Sequence, residues 1–286
     1  CKQGLGGFDV SGSTDRKNTL LRKKLASGAQ IIGPGVYDGL SARIADASGF
    51  DVLYLSGYGV SASLLAKPDN GFLLASDMQA RIKSLTDVLH TPLIADADTG
   101  FGNIAETVAA YEAAGACGIQ LEDQRVPKIC GHIAGREVID RSMAIANIKT
   151  AVSARKSEGF LIVARTDARE QNGLEEALAR GHEFFAAGAD VLFVESPEST
   201  EEMKIIGSEL GHAPLLANMV EGGRTPRLAR AELAAMGFNF VIYPVAAMSV
   251  AAAGLSRAYR ELLQGDVDAE RVDFAHLSHL VGFPSD

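Results

Sequence analysis

The chain has 286 residues, 47% of them hydrophobic and 22% charged, with a formal net charge of −9. Its length exceeds the usual single domain but is ordinary for an α/β barrel. The acidic balance disfavours nucleic acid and anionic membranes as partners, and no apolar run reaches the ~20 residues a bilayer requires. Cys1, Cys117 and Cys130 are an odd set in a long chain, which points to a reducing, cytoplasmic compartment without a disulfide framework.

Residues 1–15 are rich in Gly and Ser without periodicity and read as a flexible arm, leaving 16–286 as one folded unit. A basic helix is predicted from Arg16 to Ala26, with Leu20, Leu21 and Leu25 on one side. Apolar runs then recur at Ile31–Gly33, Val52–Ser56, Leu93–Asp96, Gly118–Glu122, Leu161–Arg165, Val191–Glu195, Leu215–Asn218 and Phe240–Tyr243. Several follow a helix that ends in small residues and a Gly, as at Ala113-Ala114-Gly115 and Ala186-Ala187-Gly188, the short αβ link of an α/β fold. Asn103 is placed to cap a helix whose stripe is Ile104, Val108 and Tyr111; a second stripe runs Leu174, Leu178, Gly181, Phe185. Eight such units predict a closed (β/α)8 barrel. The alternative, a doubly wound open sheet, lacks a Gly-x-Gly-x-x-Gly after the first strand. A long helix from Ala247 to Leu263 precedes Phe274, Leu277, Leu280, Val281 and Phe283, more apolar surface than a free tail should carry, so this segment is expected to dock.

In a barrel, function collects at the C-terminal strand ends. Those ends read Tyr54-Leu55-Ser56-Gly57-Tyr58, Asp96-Ala97-Asp98, Glu122-Asp123, Arg165-Thr166-Asp167, Glu195, and Asn218 followed by Glu221. Asp96 and Asp98, two apart on an extended chain, form with Glu122 a hard oxygen cluster suited to Mg²⁺ or Mn²⁺. The competing reading is carboxylates paired with Arg or Lys. Arg165, rising from a buried strand, is expected to bind an anion. Asn218 either donates to a carboxylate or satisfies backbone groups. The stretch from Leu121 to His132 puts a carboxylate pair near the thiol of Cys130 and the imidazole of His132, a constellation for proton transfer where the bland alternative is a surface loop.

Together these residues resemble the isocitrate lyase / phosphoenolpyruvate mutase superfamily, from the first strand to about Ala252. The pieces that carry the resemblance are Ser56-Gly57-Tyr58, Pro68-Asp69-Asn70-Gly71, Asp96 to Gly102, Glu122-Asp123-Gln124, Lys128-Ile129-Cys130-Gly131-His132, Ala164-Arg165-Thr166-Asp167 and Asn218. The Lys-x-Cys-Gly-His piece is similar to the signature of the carbon–carbon lyase branch. The resemblance implies a TIM barrel whose C-terminal helix is swapped between subunits of a homotetramer, Mg²⁺ (or Mn²⁺), and a small 2-hydroxy dicarboxylate cleaved to pyruvate or glyoxylate plus a carboxylic acid. Ser249 stands where methylisocitrate lyases carry an Arg for a third carboxylate, and Glu221-Gly222-Gly223 is similar to the dimethylmalate lyase and petal death group. The expected substrate is therefore like dimethylmalate or citramalate. The alternatives are oxaloacetate hydrolysis or decarboxylation, 2-methylisocitrate cleavage, and a silent dicarboxylate-binding barrel.

For such a cleavage the residues take these expected roles. Asp96 and Asp98 hold the metal, with Glu122 and Asp69 near or in its water shell. Tyr54 is the base, Arg165 stabilises the nascent keto oxygen, and Cys130 is the general acid. His132, Glu195 and Asn218 hold the departing carboxylate, backbone N–H groups of Ser56, Gly57 and Gly131 hold the other, and Tyr58, Phe101 and Pro244 form walls. Lys128 to Glu137 is a lid hinged at Gly131 and Gly135.

Overall fold

A computed structural model of the chain describes residues 10–265 and 271–283. In order it runs α1 (Val10–Ala26), β1 (Ile31–Val36), α2 (Gly39–Ala47), β2 (Leu53–Leu55), α3 (Gly57–Val60) continuing into a π-helical turn (Ser61–Leu65), α4 (Ala75–Thr86), β3 (Leu93–Asp96), α5 (Ile104–Ala113), β4 (Gly118–Glu122), α6 (Arg141–Ala154), β5 (Leu161–Thr166), α7 (Arg169–Ala186), β6 (Val191–Val194), α8 (Thr200–Leu210), β7 (Leu215–Asn218), α9 (Arg230–Ala235), β8 (Phe238–Tyr243), α10 (Ala246–Gln264) and α11 (Phe274–Leu280). All eight strands are parallel, each beside the next. β8 closes on β1 with Phe240 opposite Ile31 and Val241 opposite Ile32. This is a (β/α)8 barrel. Among the described residues no helix is long and apolar enough to cross a membrane.

The strands read as continuous apolar runs because both faces are buried. Successive side chains point to opposite faces, so each run is sorted into two cores. Leu161 and Val163 of β5 fall inside the barrel with Ile31, Ile94, Val191 and Phe240, while Ile162 and Ala164 face the helices. Leu21 and Leu25 of α1 join the interior set and plug the barrel's N-terminal end. Asn103 caps α5 as expected, accepting from the Glu106 N–H at 3.2 Å.

Three expectations shift. Helix α1 begins at Val10, and residues 1–9 of the expected arm lie outside the described residues. Leu20 is exposed although Leu21 and Leu25 are buried. The buried row of α7 is Ala177, Gly181 and Phe184 rather than one ending in Phe185, with Arg180 turned inward to pair with Asp123.

Candidate active site

The period of two that sorts the core also builds the site. Inward positions continue past the apolar layer to Tyr54 on β2 and Ser56 just after it, Asp96 on β3, Gln120 and Glu122 on β4, Arg165 on β5, Glu195 after β6, Asn218 on β7 and Pro244 after β8. With Tyr58, Asp69, Cys130, Gly131, His132 and Phe193, most of these line a cavity of about 310 Å³ at the C-terminal mouth. Asp98 and Glu122 stand behind its wall, Asp98 against Lys128 and Glu122 against Arg165.

Asp123 is the outward neighbour of Glu122 and does not share its site. It accepts from Thr166 Oγ1 at 2.7 Å, the Asp167 N–H at 2.8 Å and Arg180 Nη1 at 3.0 Å. Burial, then the nearby Asp167 charge, raises its carboxyl to about 6. The expected proton-transfer pair of Glu122 and Asp123 therefore reduces to Glu122, with Asp123 bracing β4 to β5 and α7.

Arg165 rises among three carboxylates. It donates from Nε and Nη2 to Asp167 at 2.9 and 2.8 Å, and its Nη1 lies 3.2 Å from Glu122 Oε2 and 3.4 Å from Glu195 Oε2. Three carboxylates surround its one charge, so toward an incoming oxygen it has fixed N–H groups to offer rather than a free cation. Burial opposes ionisation of Glu195, but Arg165, His132 and Arg136 outweigh it and bring the carboxyl to about 2. Asn218 donates from Nδ2 to Glu195 Oε2 at 3.1 Å, which resolves its two readings in favour of a carboxylate partner.

Lys128 is the cation of the opposite wall. Its ammonium lies 2.5 Å from Asp69 Oδ1 and 2.6 Å from Asp98 Oδ1. Burial raises the Asp98 carboxyl to about 7, with Asp96 and Asp69 adding to it against Lys128. Asp96 and Glu122 are raised as well, first by burial. Glu122 Oε1 is buried with no hydrogen-bond partner. Four crowded carboxylates share one ammonium and part of one guanidinium, a surplus of negative oxygen that fits a hard divalent cation. Among the described residues no group of three or more His, Cys, Asp or Glu side chains is already arranged to hold a metal ion.

The segment from Lys128 to Glu137, expected to be a lid, follows β4 and lines the cavity through Cys130, Gly131, His132 and Ile133. The Gln124 side chain clamps Ile129, donating to its carbonyl at 2.9 Å and accepting from its N–H at 3.1 Å. Gly131 rests on Arg165 and Glu195 so closely that a Cβ there would fall 2.4 Å from Arg165 Nη2. Ser196, at φ 56° in the left-handed region, has its hydroxyl 2.7 Å from the Gly131 carbonyl oxygen, which accepts from it. Burial pushes the Cys130 thiol up, so it is protonated at neutral pH. Burial lowers His132, whose Nδ1 accepts from the Arg224 N–H at 3.2 Å. The Arg224 N–H on Nδ1 assigns the neutral ring's proton to Nε2, which lies 3.3 Å from Asn218 Nδ2 and 3.6 Å from Glu195 Oε1.

Three assigned roles change. The Tyr54 hydroxyl donates to Gln120 Oε1 at 2.7 Å, and burial, then the Asp96 charge, pushes it well above its usual value. A phenol so held keeps its proton in this arrangement, which argues against the expected role as base. The Ser56 N–H donates to Val36 O at 3.1 Å and the Gly57 N–H to Asp96 Oδ2 at 3.3 Å, so neither is free for a substrate carboxylate. Phe101 packs on the outer core and does not line the cavity. Sequence reasoning did not assign site roles to Lys128, Gln120, Asp167 and Ser196. Gln120 and Asp167 were findable, since each is a polar residue on or just after a buried strand. Ser196 carried no signal, because its role depends on where the lid lands.

Residues 21–263 match the phosphoenolpyruvate phosphomutase family. The chain is 44% identical over 270 residues to 2,3-dimethylmalate lyase of Eubacterium barkeri, across 92% of this chain and 93% of that protein. Oxaloacetate acetylhydrolase in complex with the inhibitor 3,3-difluorooxalacetate superposes with a TM-score of 0.90 at 35% identity, over 94% of each chain. A phosphonopyruvate hydrolase complex with oxalate and Mg²⁺ gives a TM-score of 0.84 at 31% identity, over 93% of this chain and 95% of that one.

Proposed function

The chain belongs to the phosphoenolpyruvate mutase / isocitrate lyase superfamily and is a carbon–carbon lyase, and from that premise we propose that it cleaves a substituted malate between C2 and C3. The observation that carries this reading is the Cys130 thiol, kept protonated by burial and facing the same cavity as Arg165, His132, Glu195 and Asn218. The C2 hydroxyl first gives up its proton to solvent; breaking the C2–C3 bond then turns the alkoxide into a keto group and leaves the electron pair on C3 as the enediolate of a carboxylic acid. The S–H of Cys130 delivers its proton to C3 as general acid, and the Cys130 thiolate left after proton delivery is reprotonated by solvent when the lid opens. His132 Nε2–H and the Asn218 amide orient the departing carboxylate, and Arg165 holds the oxygen that becomes the keto group. The closed lid keeps water from quenching the enediolate.

A divalent cation, Mg²⁺ by its oxygen donors, would be held by Asp96 and Asp98 with Glu122 and Asp69 in or near its water shell. When bound it polarises the 2-oxygen and favours loss of the hydroxyl proton. The wall formed by Phe193, Ile242, Pro244, Val245 and Ile133 is apolar. It favours methyl-bearing malates such as dimethylmalate or citramalate, and Ser249 is exposed on α10 with no charge to offer a third carboxylate.

A second copy completes the assembly. Helix α10 has no buried residue, with Val250 and Leu263 largely exposed, while an apolar groove of about 600 Å³ lies open beside β1 and α2. These features support exchange of the C-terminal helices in a dimer of dimers; light scattering tests the tetrameric mass, and truncation after Tyr243 tests whether that mass depends on the C-terminal helices.

The functional test is a panel of malate, citramalate, dimethylmalate, methylisocitrate and oxaloacetate, with and without EDTA, on wild type and Cys130→Ser. Cys130→Ser should lose several orders of magnitude in turnover of its best substrate while still binding Mn²⁺. Near-wild-type turnover would refute the assigned role, and a preference for oxaloacetate would move the reading to hydrolysis.

A further inference from the structure

We propose that Glu170 is a positioning residue that fastens the lid and the loop after β7 to one point, so that Cys130 and His132 are seated in a single event. This rests on the role of the lid in the reaction above. Glu170 lies in the first turn of α7 and does not line the cavity. Its Oε1 accepts from the Gly135 N–H at 3.0 Å and from Arg224 Nη1 at 2.9 Å, and its Oε2 accepts from Arg136 Nε at 2.7 Å. Gly135 and Arg136 belong to the lid, and Arg224 to the loop between β7 and α9.

Two arms run inward from this carboxylate. Along one, Arg136 Nη1 donates to Ser196 Oγ at 3.2 Å, and Ser196 holds the carbonyl of Gly131, the residue after Cys130. Along the other, the backbone N–H of Arg224 donates to His132 Nδ1 at 3.2 Å and sets its tautomer. One carboxylate thus reaches both sides of the reacting groups.

The electrostatics make the latch sensitive to the loss of that carboxylate. Arg136 is almost wholly buried, and without Glu170 its remaining direct ion pair is with Asp167 at 3.4 Å, beside the longer-range attraction of Glu195. An undercompensated buried guanidinium is strongly disfavoured. Its cheapest relief is for the lid to swing into water, because the barrel need not move. Arg224 keeps Glu198 at 3.1 Å but loses its tie to the lid.

The experiment uses the full chain carrying Glu170→Gln or Glu170→Ala, with Asp190→Ala as control. Asp190, just before β6, makes a similar multiple contact away from the lid, pairing with Arg155 at 2.6 Å and Arg22 at 2.9 Å and accepting from the Ile162 N–H at 2.8 Å. Iodoacetamide labelling of Cys130 is followed by peptide mass, and amide exchange is followed at the Gly135 and Arg224 peptides. Labelling should rise in the order wild type, Gln, Ala, by about tenfold or more for Ala. Exchange should rise at both peptides together, kcat should fall by a similar factor, and the control should match wild type. The Gln variant keeps an oxygen for the Gly135 N–H and covers the case in which Ala fails to fold.

Unchanged labelling in a folded Glu170 variant, an equal rise in the control, or faster exchange at only one of the two peptides overturns the proposal. If wild type turns over no malate, the functional reading fails, and labelling and exchange still decide the latch.

Discussion

Replacing Gly131 with Ala tests whether the lid must close to atomic contact. The added Cβ would fall 2.4 Å from Arg165 Nη2 and 2.7 Å from Glu195 Oε2. Long side chains usually yield to such a contact, but neither of these can. Arg165 is pinned by its two bonds to Asp167 at 2.9 and 2.8 Å, and Glu195 by the Asn218 amide at 3.1 Å. Overpacking of this kind costs about 1–3 kcal/mol, roughly a 5- to 150-fold change in an equilibrium. The lid can open while the barrel cannot deform, so the cost falls on closure and not on folding. Steady-state kinetics of Gly131→Ala should show kcat/KM reduced about tenfold to a hundredfold with a melting temperature within ~2 °C of wild type. A folded variant with wild-type kcat/KM would show that the lid does not press on Arg165 and Glu195 during turnover, and the reasoning would fail.

Tyr54→Phe removes the hydroxyl bonded to Gln120 and should cost about 1 kcal/mol of stability and less than about tenfold in kcat; a loss of more than about a thousandfold with the fold intact would restore Tyr54 as the base. Arg180→Ala strands the buried Asp123 carboxylate, 3.0 Å from its guanidinium, and should destabilise by about 3–5 kcal/mol in urea denaturation; a loss under about 1 kcal/mol would mean that the Thr166 and Asp167 bonds suffice. Glu195 holds its proton less tightly in the native state, about 2 against an ordinary 4.5. Below pH 4.5 the unfolded chain therefore binds more protons, so a contribution on the order of 3 kcal/mol is present above that pH and is lost on acidification toward 2. Glu195→Gln should flatten the acid limb of the stability curve, and parallel curves for the two proteins would contradict this.

Much of the site was legible because a strand repeats every two residues. Once Leu161 and Val163 are inside, Arg165 must be inside too, and the same counting carries Ile94 to Asp96 and Phe193 to Glu195. The counting also puts Asp123 outside, a step that reading Glu122 and Asp123 as a pair overlooks. Hydrogen-bond partners were not legible, since they join residues far apart in the chain. Whether Tyr54 is a base depends on Gln120, 66 positions away. Whether the Ser56 N–H is free depends on the Val36 carbonyl in the adjoining strand.

The amino-acid order alone determined the eight strand–helix units and the strand ends that carry the chemistry, local properties set by periodicity, glycine placement and residue type. The Lys-x-Cys-Gly-His segment added carbon–carbon cleavage only through its resemblance to a lyase branch. Tertiary structure decided which carboxylate neutralises which cation, which protons are held, and where the lid comes to rest. Lys128 between Asp69 and Asp98, and Glu170 gathering Gly135, Arg136 and Arg224, are contacts between separate loops. Charge pairing under burial falls off steeply with distance and dielectric, so only the positions of those loops in space could settle it.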